Sequence, residues 1–523
     1  MQGFQYYNNY IYFTWGDIIK SLFKAVATLT IFSIITKFLG FAFRLYLSRI
    51  LPTSVLGMYT IAASVCLVLE TIVGAGIPLV ISRYTATNIV QNNKNKSYSV
   101  VSAGLIWCLS LSTIIITIVL FCNNIFNRIF TDKDTYIILL SMLPTIFFTA
   151  LYTPFKGYLW GEERYFAVSF IELMEQMIRI SSCIILFTFF KNISIILPAG
   201  LGLSIACALS CIIGIIIFFC VGGKLSNPHG YIKQVFITTA PLTATRVAGS
   251  FMTPLINIIL PFSLIAIGYS NSQAMSEIGI ALGMTLPLLF VPSAVTMSLG
   301  MAITPKLATL KQTNKNFALC NQINSSITFT LYSSILFVPL FFGLGNEVCS
   351  FLYGNMQAGI YLEKFAWLII PMGLSQISTS ILNSLGEEKS SFKYFLISSC
   401  VIIALIATLP KIAGISALFI ALGMGNMLTF TLNILKINKI TGKKGTYMRK
   451  CTIMTIISLV VGYFINLVYN VLIFVFPNVV TLLLCFPISV VTLFVMLMCF
   501  GLIDFELINN ITKKLKSKSI KAK

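Results

Sequence analysis

The chain has 523 residues, of which 57% are hydrophobic, 13% aromatic and only 10% charged, with a mean hydropathy of +0.92. Soluble domains carry about 25% charged residues, so this composition excludes them and places the chain among integral membrane proteins. The formal charge of +21 then concerns orientation and anionic headgroups. No nucleic-acid partner is expected, because the basic tail is short and lacks groove-reading or stacking elements.

The leader, residues 1–24, is aromatic and polar, with no short apolar core ending in small residues. It reads as an interfacial segment, where Tyr and Trp are favoured. Apolar runs of about 20 residues then predict about fourteen transmembrane helices and an all-α, polytopic fold. The first six run Ala25 to Tyr46, Leu56 to Ser82, Tyr98 to Cys122, Tyr136 to Pro154, Phe166 to Phe190 and Ile193 to Val221. A second six run Val235 to Ile267, Ile278 to Met301, Phe317 to Leu344, Tyr361 to Leu385, Phe392 to Leu409 and Ile412 to Leu435. Cys451 to Val475 and Val479 to Phe500 follow as a terminal pair. The expected organisation is a six-helix bundle over 25–224, a second over 225–440, the helix pair over 441–505 and a basic tail over 506–523. Pro241, Pro254, Pro287 and Pro292 mark stretches where a kinked or broken helix is expected.

With an even number of spans, roughly 26 of the 36 Lys and Arg fall on the side that holds both termini, which the positive-inside rule makes cytoplasmic. The clusters from Lys436 to Lys450 and from Lys513 to Lys523 suit anionic membrane lipids. Thirteen cysteines are scattered without metal-ligand spacing and behave as small hydrophobes. The single His229 lies in the loop Ser-Asn-Pro-His-Gly and reads as a solvated residue. No metal or cofactor is expected.

A weak internal repeat joins the two halves. MLPTIFFTALYTPFKGYLWGEERYF starts at Met142 and IIPMGLSQISTSILNSLGEEKSSF at Ile369; each has a Pro, an apolar span, then Gly-Glu-Glu and a basic residue. Both turns fall at the fourth-to-fifth junction of a six-span set, on the same side, so the repeat is parallel. Parallel repeats are one way transporters build two bundles; Gly-Glu-Glu-Lys is also an ordinary polar turn between helices.

Eight ionisable residues sit in or at the ends of the spans: Lys37, Arg44, Glu70, Glu172, Glu175, Arg179, Arg246 and Glu277. Each costs about 3 kcal/mol on insertion scales, so each marks a polar pathway or a paired network. At about 1.5 Å per residue, Lys37 lies about 18 Å deep and Arg44 about 28 Å, on one face of the first span, and Glu70 lies about 18 Å deep on the second. Glu70 is therefore offered either as a partner of Lys37 or as a proton or cation coupling site, with Glu172 a second candidate. Glu175 and Arg179 form an i,i+4 pair in the favoured order. Arg246, about 16 Å deep, has no acid on its own helix and needs a partner from elsewhere. Glu277 reads as interfacial. The cations without a same-helix partner are Lys37, Arg44 and Arg246, and forked Arg donors suit phosphate or carboxylate.

The strings KFLGFAFRLYLSRIL (Lys37 to Leu51), GAGIPLVISR (Gly74 to Arg83), MEQMIRIS (Met174 to Ser181), PLTATRVAGS (Pro241 to Ser250) and PSAVTMSLGMAITPKLA (Pro292 to Ala308) resemble the stage V sporulation protein B family. That family is in the polysaccharide-transporter branch of the superfamily of multidrug, oligosaccharidyl-lipid and polysaccharide flippases. The resemblance implies two six-helix bundles plus a final pair, and alternating-access flipping of an undecaprenyl-diphosphate-linked peptidoglycan precursor. Lys37, Arg44, Arg49, Glu175, Gln176, Arg179 and Arg246 match polar positions of its motifs, whereas Glu70 stands where the family motif is small or hydroxyl-bearing. The expected substrate contacts are Lys37, Arg44, Arg246, Arg179 and Glu175; sodium or a proton is the candidate coupling ion. A multidrug antiporter would instead depend on Glu70 and Glu172, and an envelope scaffold would leave the buried charges fully paired. A glycan polymerase would need an acid/base constellation that the sequence does not display, so the chain is not expected to be an enzyme.

Overall fold

The computed structural model describes residues 31–91, 93–190, 195–228, 230–313, 315–442 and 447–502. The leader 1–24, the start of the first span, His229 and the tail 506–523 lie outside them. Among the described residues the chain is helical and contains no strand.

Among the described residues twelve helices, or thirteen when one bent pair counts as a span, are long and apolar enough to cross a membrane. The 26-residue helix Tyr165–Phe190, with three charges, supplies a further span. Each of the fourteen predicted spans therefore has a helix or a broken helix. In chain order they are α1 (Ile31–Ile50), α2 (Thr53–Gly74) with α3 (Ile77–Val90), α4 (Lys94–Phe121), a short α5 (Asn123–Ile129), α6 (Lys133–Gly161), α7 (Tyr165–Phe190) and α8 (Leu197–Cys220). Then come α9 (Ile232–Ser250) with α10 (Met252–Ile265), and α11 (Asn271–Ile278) running through a π-helix (Gly279–Thr285) into α12 (Leu286–Leu289) and bending by 50° into α13 (Ser293–Gln312). The remainder are α14 (Asn316–Ile335) with α15 (Val338–Tyr353), α16 (Met356–Phe365) joined by a 3-10 turn to α17 (Ile369–Ser384), α18 (Glu388–Thr408), α19 (Pro410–Ala413), α20 (Ser416–Thr441), α21 (Tyr447–Leu472) and α22 (Asn478–Cys499).

Several predicted spans are thus discontinuous. The second breaks at Ala75–Gly76, between α2 and α3. Of the prolines, Pro241 stays inside α9, whereas Pro287 and Pro292 stand where the eighth span turns from π-helix to α12 and bends into α13. The ninth span breaks at Leu344, where φ is −134° and ψ 25°. The groups freed there are taken up locally: Asn346 N–H donates to Glu363 Oε1 at 3.0 Å, and Asn466 Nδ2 donates to the Gly343 carbonyl at 2.8 Å.

The chain divides into two compact units, residues 1–262 with 270–279, and residues 263–269 with 280–523. The sequence reading put 225–262 in the second bundle; packing groups these residues with the first unit, because α9 lies on α2, α3 and α4. Within that unit α11 also docks on α2. A Cβ on Gly57 would overlap the Met275 carbonyl and one on Gly279 the Thr53 carbonyl, and the Thr53 and Ser276 hydroxyls hydrogen-bond at 2.6 Å.

The internal repeat is clearer in the helices than in the strings. Lys133–Gly161 and Met356–Ser384 are both 29 residues long. Asp132 caps the first by accepting from Asp134 N–H, and Asn355 caps the second by accepting from Ala358 N–H, as short acceptor side chains do at helix starts. Both helices are followed by a left-handed residue, Glu163 (φ 58°) and Gly386 (φ 71°). Counted from the caps, Glu163 falls opposite Gly386, so the two Gly-Glu-Glu strings lie out of register. The helix end, not the string, is the repeated feature.

A glutamate in the left-handed region carries a steric penalty that glycine escapes. Glu163→Gly should therefore stabilise the protein by about 0.5–1 kcal/mol, read as a raised thermal midpoint in detergent. In the second turn, hydrogen bonds from Ser390 and then Lys436 hold the Glu387 carboxyl below its ordinary 4.5. A depressed value means its contribution is complete above pH 4.5 and is lost as pH falls below it. The stability difference between wild type and Glu387→Gln should accordingly vanish on the acid side; a difference unchanged there would contradict the pairing.

Candidate functional site

The first unit collects most of the singled-out charges, and α7 supplies the centre. Glu175 and Arg179 are one turn apart, and Arg179 Nη2 donates to Glu175 Oε1 at 2.6 Å. The side chains keep 25% and 20% exposure, so both ions are largely taken out of water and each relies on the other.

Glu172 does not share that pair. It accepts from Lys156 Nζ at 2.6 Å, and the same ammonium lies 5.0 Å from the centre of the Trp160 ring, a cation–π distance. Lys156 was not among the predicted site residues, because the fourth span was ended at Pro154. The helix runs on through Pro154 to Gly161, which brings Lys156 and Trp160 alongside α7. A Lys and a Trp four residues apart, just past an apolar run, were the available signal.

Glu70 joins the same group from α2. Its charge interacts with Glu175 and Arg179, and the Cys66 thiol points to its Oε1 at 4.0 Å. Equal depth in the membrane does not decide which neighbour a helix face meets; packing does. On α8 the Cys207 thiol stands 4.0 Å from Glu175 Oε1. Tyr59 interacts electrostatically with Arg179 and Arg44, and Tyr152 with Glu172 and Glu175. Two ion pairs thus stand one turn apart on α7, Glu175 with Arg179 and Glu172 with Lys156.

Arg246 is held differently. Its Nη1 donates to the Ala75 carbonyl at 2.7 Å, a group freed by the break between α2 and α3. Gly76 allows the approach, since a Cβ there would press on the Thr243 hydroxyl and the Thr239 backbone. The partner that Arg246 needed is therefore a backbone oxygen, and among the described residues Arg246 makes no ion pair. Arg44 makes none either. Lys37 and Arg44 are exposed on α1, two turns apart, and Glu277 stands in the last turn of α11. Of the predicted site residues the structure pairs Glu175 with Arg179; Arg246 occupies a separate position over the α2–α3 break.

Helices of these lengths, discontinuous spans and a helical repeat shared by the two units define a multi-pass membrane protein built like a two-bundle transporter. A family model described as polysaccharide biosynthesis protein matches residues 22–311, and the chain belongs to that family. It is 23% identical over 443 residues to stage V sporulation protein B of Bacillus subtilis (strain 168), covering 80% of this chain and 84% of that protein. Among solved structures it is similar to lipid II flippase MurJ in an inward closed conformation, with TM-score 0.70 and 15% identity over 90% of this chain and 98% of that one. It also resembles an inward-facing multidrug resistance transporter of the MATE family in the MOP superfamily, with TM-score 0.59 and 15% identity over 80% of this chain and all of that one.

Breaking the Glu175–Arg179 pair strands an ion in a poorly hydrated interior. Glu175→Ala and Arg179→Ala should each lower stability by about 3–5 kcal/mol, and the double variant should cost little more than either single one. A double-mutant cycle on chemical denaturation in detergent measures this; additive losses would show the two side chains to be independent.

Proposed function

We propose that the chain is a flippase that carries a lipid-diphosphate-linked glycan, lipid II or a similar peptidoglycan precursor, across the cytoplasmic membrane by alternating access, for spore cortex or wall synthesis. The diphosphate engages Arg246, Arg44 and Lys37, while Glu175 and Arg179 order the interior beside them. Both termini face the cytoplasm, and the basic tail rests on anionic lipids.

The supporting observation is the unequal use of charge in the first unit. Glu172 and Glu175 are each neutralised by a cation at 2.6 Å, whereas Arg44 and Arg246 have no acidic partner among the described residues. Such a surface suits an anion; an exporter of cationic drugs would need the reverse. Arg246 spends one donor on Ala75, which fixes the guanidinium and leaves its other N–H groups for an oxyanion, the bidentate chemistry that distinguishes Arg from Lys. The stage V sporulation protein B relationship and the fold shared with a lipid II flippase support the substrate class.

The reading is tested with purified protein in liposomes containing a fluorescent lipid-diphosphate glycan, scored by dithionite access. Each charge-assisted hydrogen bond lost should cost about 1.5–3 kcal/mol, so Arg246→Ala and Arg44→Ala should slow transfer by about 10-fold to 100-fold, with Arg246→Lys recovering part. Wild-type rates in Arg246→Ala, or efflux of a cationic dye that depends on Glu172 but not on the arginines, would overturn it in favour of a drug antiporter.

A further inference from the structure

We propose that the hydroxyls of Thr239 and Thr243 are reserve donors for the Ala75 carbonyl, which they take over whenever Arg246 is drawn off it. That the diphosphate of a glycan lipid draws Arg246 off rests on the transport reading above; the reserve bond does not. The two threonines are thus positioning residues, which act on the break in the second span and not on the anion. The break itself follows from the sequence. Pro78, in the first turn of α3, brings no N–H and its ring crowds the carbonyl four residues earlier, so the turn at Ala75–Gly76 cannot close in the regular way.

On α9, Thr239, Thr243 and Arg246 follow one another at i, i+4 and i+7 and so share a face. The structure lays that face on the break. Arg246 Nη1 donates to the Ala75 carbonyl at 2.7 Å. Helical side chains lean toward the N-terminus of their own helix, so Arg246 reaches back over the turn that carries Thr243. A Cβ on the residue after Ala75, Gly76, would stand 2.7 Å from Thr243 Oγ1 and 3.0 Å from Thr239 Cγ2. Only a glycine lets both side chains come this close, one peptide away from the carbonyl that Arg246 holds.

An uncommitted hydroxyl marks this face as more than filler. Thr239 is 1% exposed, and its Oγ1 is buried without a hydrogen-bond partner among the described residues. Its neighbour Thr238 shows the ordinary solution inside a helix, donating to the Gln234 carbonyl one turn back at 2.8 Å, and Thr71 and Thr153 do the same at 2.7 and 2.6 Å. The Val235 carbonyl stands in the same relation to Thr239, whose hydroxyl leaves it unused. A buried hydroxyl without a partner is costly, so its presence calls for a reason.

The reason lies in the double duty of Arg246. Its charge is what an oxyanion pulls on, yet its Nη1 satisfies a backbone group inside a span, where no bulk water stands ready to replace it. When the guanidinium follows a moving anion, the Ala75 carbonyl is stranded, and that cost opposes the movement. Rotation about χ1 of Thr239 puts Oγ1 where Cγ2 now stands, against Gly76, and breaks no existing bond. The carbonyl thereby passes from a charged donor to a neutral one, and Arg246 is released.

The test uses the full chain, first in detergent. Thr239→Val keeps the shape and removes the hydroxyl. With Arg246 in place it should leave the thermal midpoint unchanged or raised, because the hydroxyl has no bond to lose. In Arg246→Ala the carbonyl depends on the threonines, so Thr239→Val with Thr243→Val should there raise the unfolding constant by about 5-fold to 150-fold more than the same two changes do beside Arg246. Thr239→Ser, which keeps the hydroxyl, should behave as its parent in both backgrounds. Equal effects of the valines in the two backgrounds overturn the reserve bond. Should the triple variant not fold, Thr239→Val alone in the two backgrounds gives the same comparison. In liposomes holding the fluorescent lipid-diphosphate glycan, Thr239→Val with Thr243→Val should lower the maximal transfer rate by about 5-fold to 150-fold and leave half-saturation unchanged, with Thr239→Ser at the wild-type rate. A maximal rate equal to wild type overturns the link to transport, and a shift confined to half-saturation would make the threonines contacts of the anion instead. If the stability comparison comes out as expected and wild type moves no glycan lipid, the reserve bond stands and the transport reading falls.

Discussion

Inside a bilayer every backbone group that a broken helix frees must find its partner within the protein, and this constraint decides where several of the chain's rare polar side chains are spent. At the α2–α3 break the Ala75 carbonyl takes Arg246. At Leu344 the Glu363 carboxylate takes both the N–H and the side-chain amide of Asn346, while Asn466 takes the Gly343 carbonyl. Glycines make these approaches possible: a Cβ on Gly343 would overlap the Gly462 backbone, and one on Gly345 would press on Glu363. A charged residue deep in a span is therefore not by itself a ligand contact. Glu363 has both oxygens committed to one asparagine. Arg246 has satisfied a backbone duty with one donor and still presents a positive charge.

The same distinction separates the interiors of the two units. In the first, α6, α7 and α2 bring together Lys156, Glu172, Glu175, Arg179 and Glu70. In the second, the α17 and α20 interface is polar but uncharged: Ser375 donates to Asn426 Oδ1 at 2.6 Å, and Asn433, fully buried, donates to Ser378 and Thr379 at 3.1 and 3.0 Å. Neutral amides and hydroxyls hold helices together at a smaller desolvation cost than ions. Paired ions of both signs, as in the first unit, are thus more than the packing of such helices requires.

Much of this was legible in the sequence, and the limits are physical. The fourteen spans follow from apolar length, which survives even in α7 with its three charges. The Glu175–Arg179 pair was legible because helical geometry alone sets the distance between i and i+4. The partners of Glu70 and Glu172 were not, since they depend on which faces of separate helices meet. Depth along the membrane normal placed Lys37 level with Glu70, and depth does not say which helix faces meet. Ending the fourth span with its apolar run at Pro154 concealed Lys156, because the helix continues past that run to Gly161.

The repeat shows what is retained when sequence diverges to this degree. The matched strings ending in Gly-Glu-Glu drew attention to the right helices, yet they are out of register with the structure. What coincides is a helix of 29 residues, an acceptor side chain at its start and a left-handed residue after its end. Those features fix length and direction, and a bilayer of given thickness demands both. Side chains along the helix are under no such demand: one copy carries Lys156 and Trp160 in its last turns, the other Thr379 and Asn383. Backbone geometry set by the membrane can therefore stay constant while the chemistry mounted on it becomes different in the two copies. That is how helices of one repeat come to carry a lysine that pairs with a glutamate in one copy and a threonine that bonds an asparagine in the other.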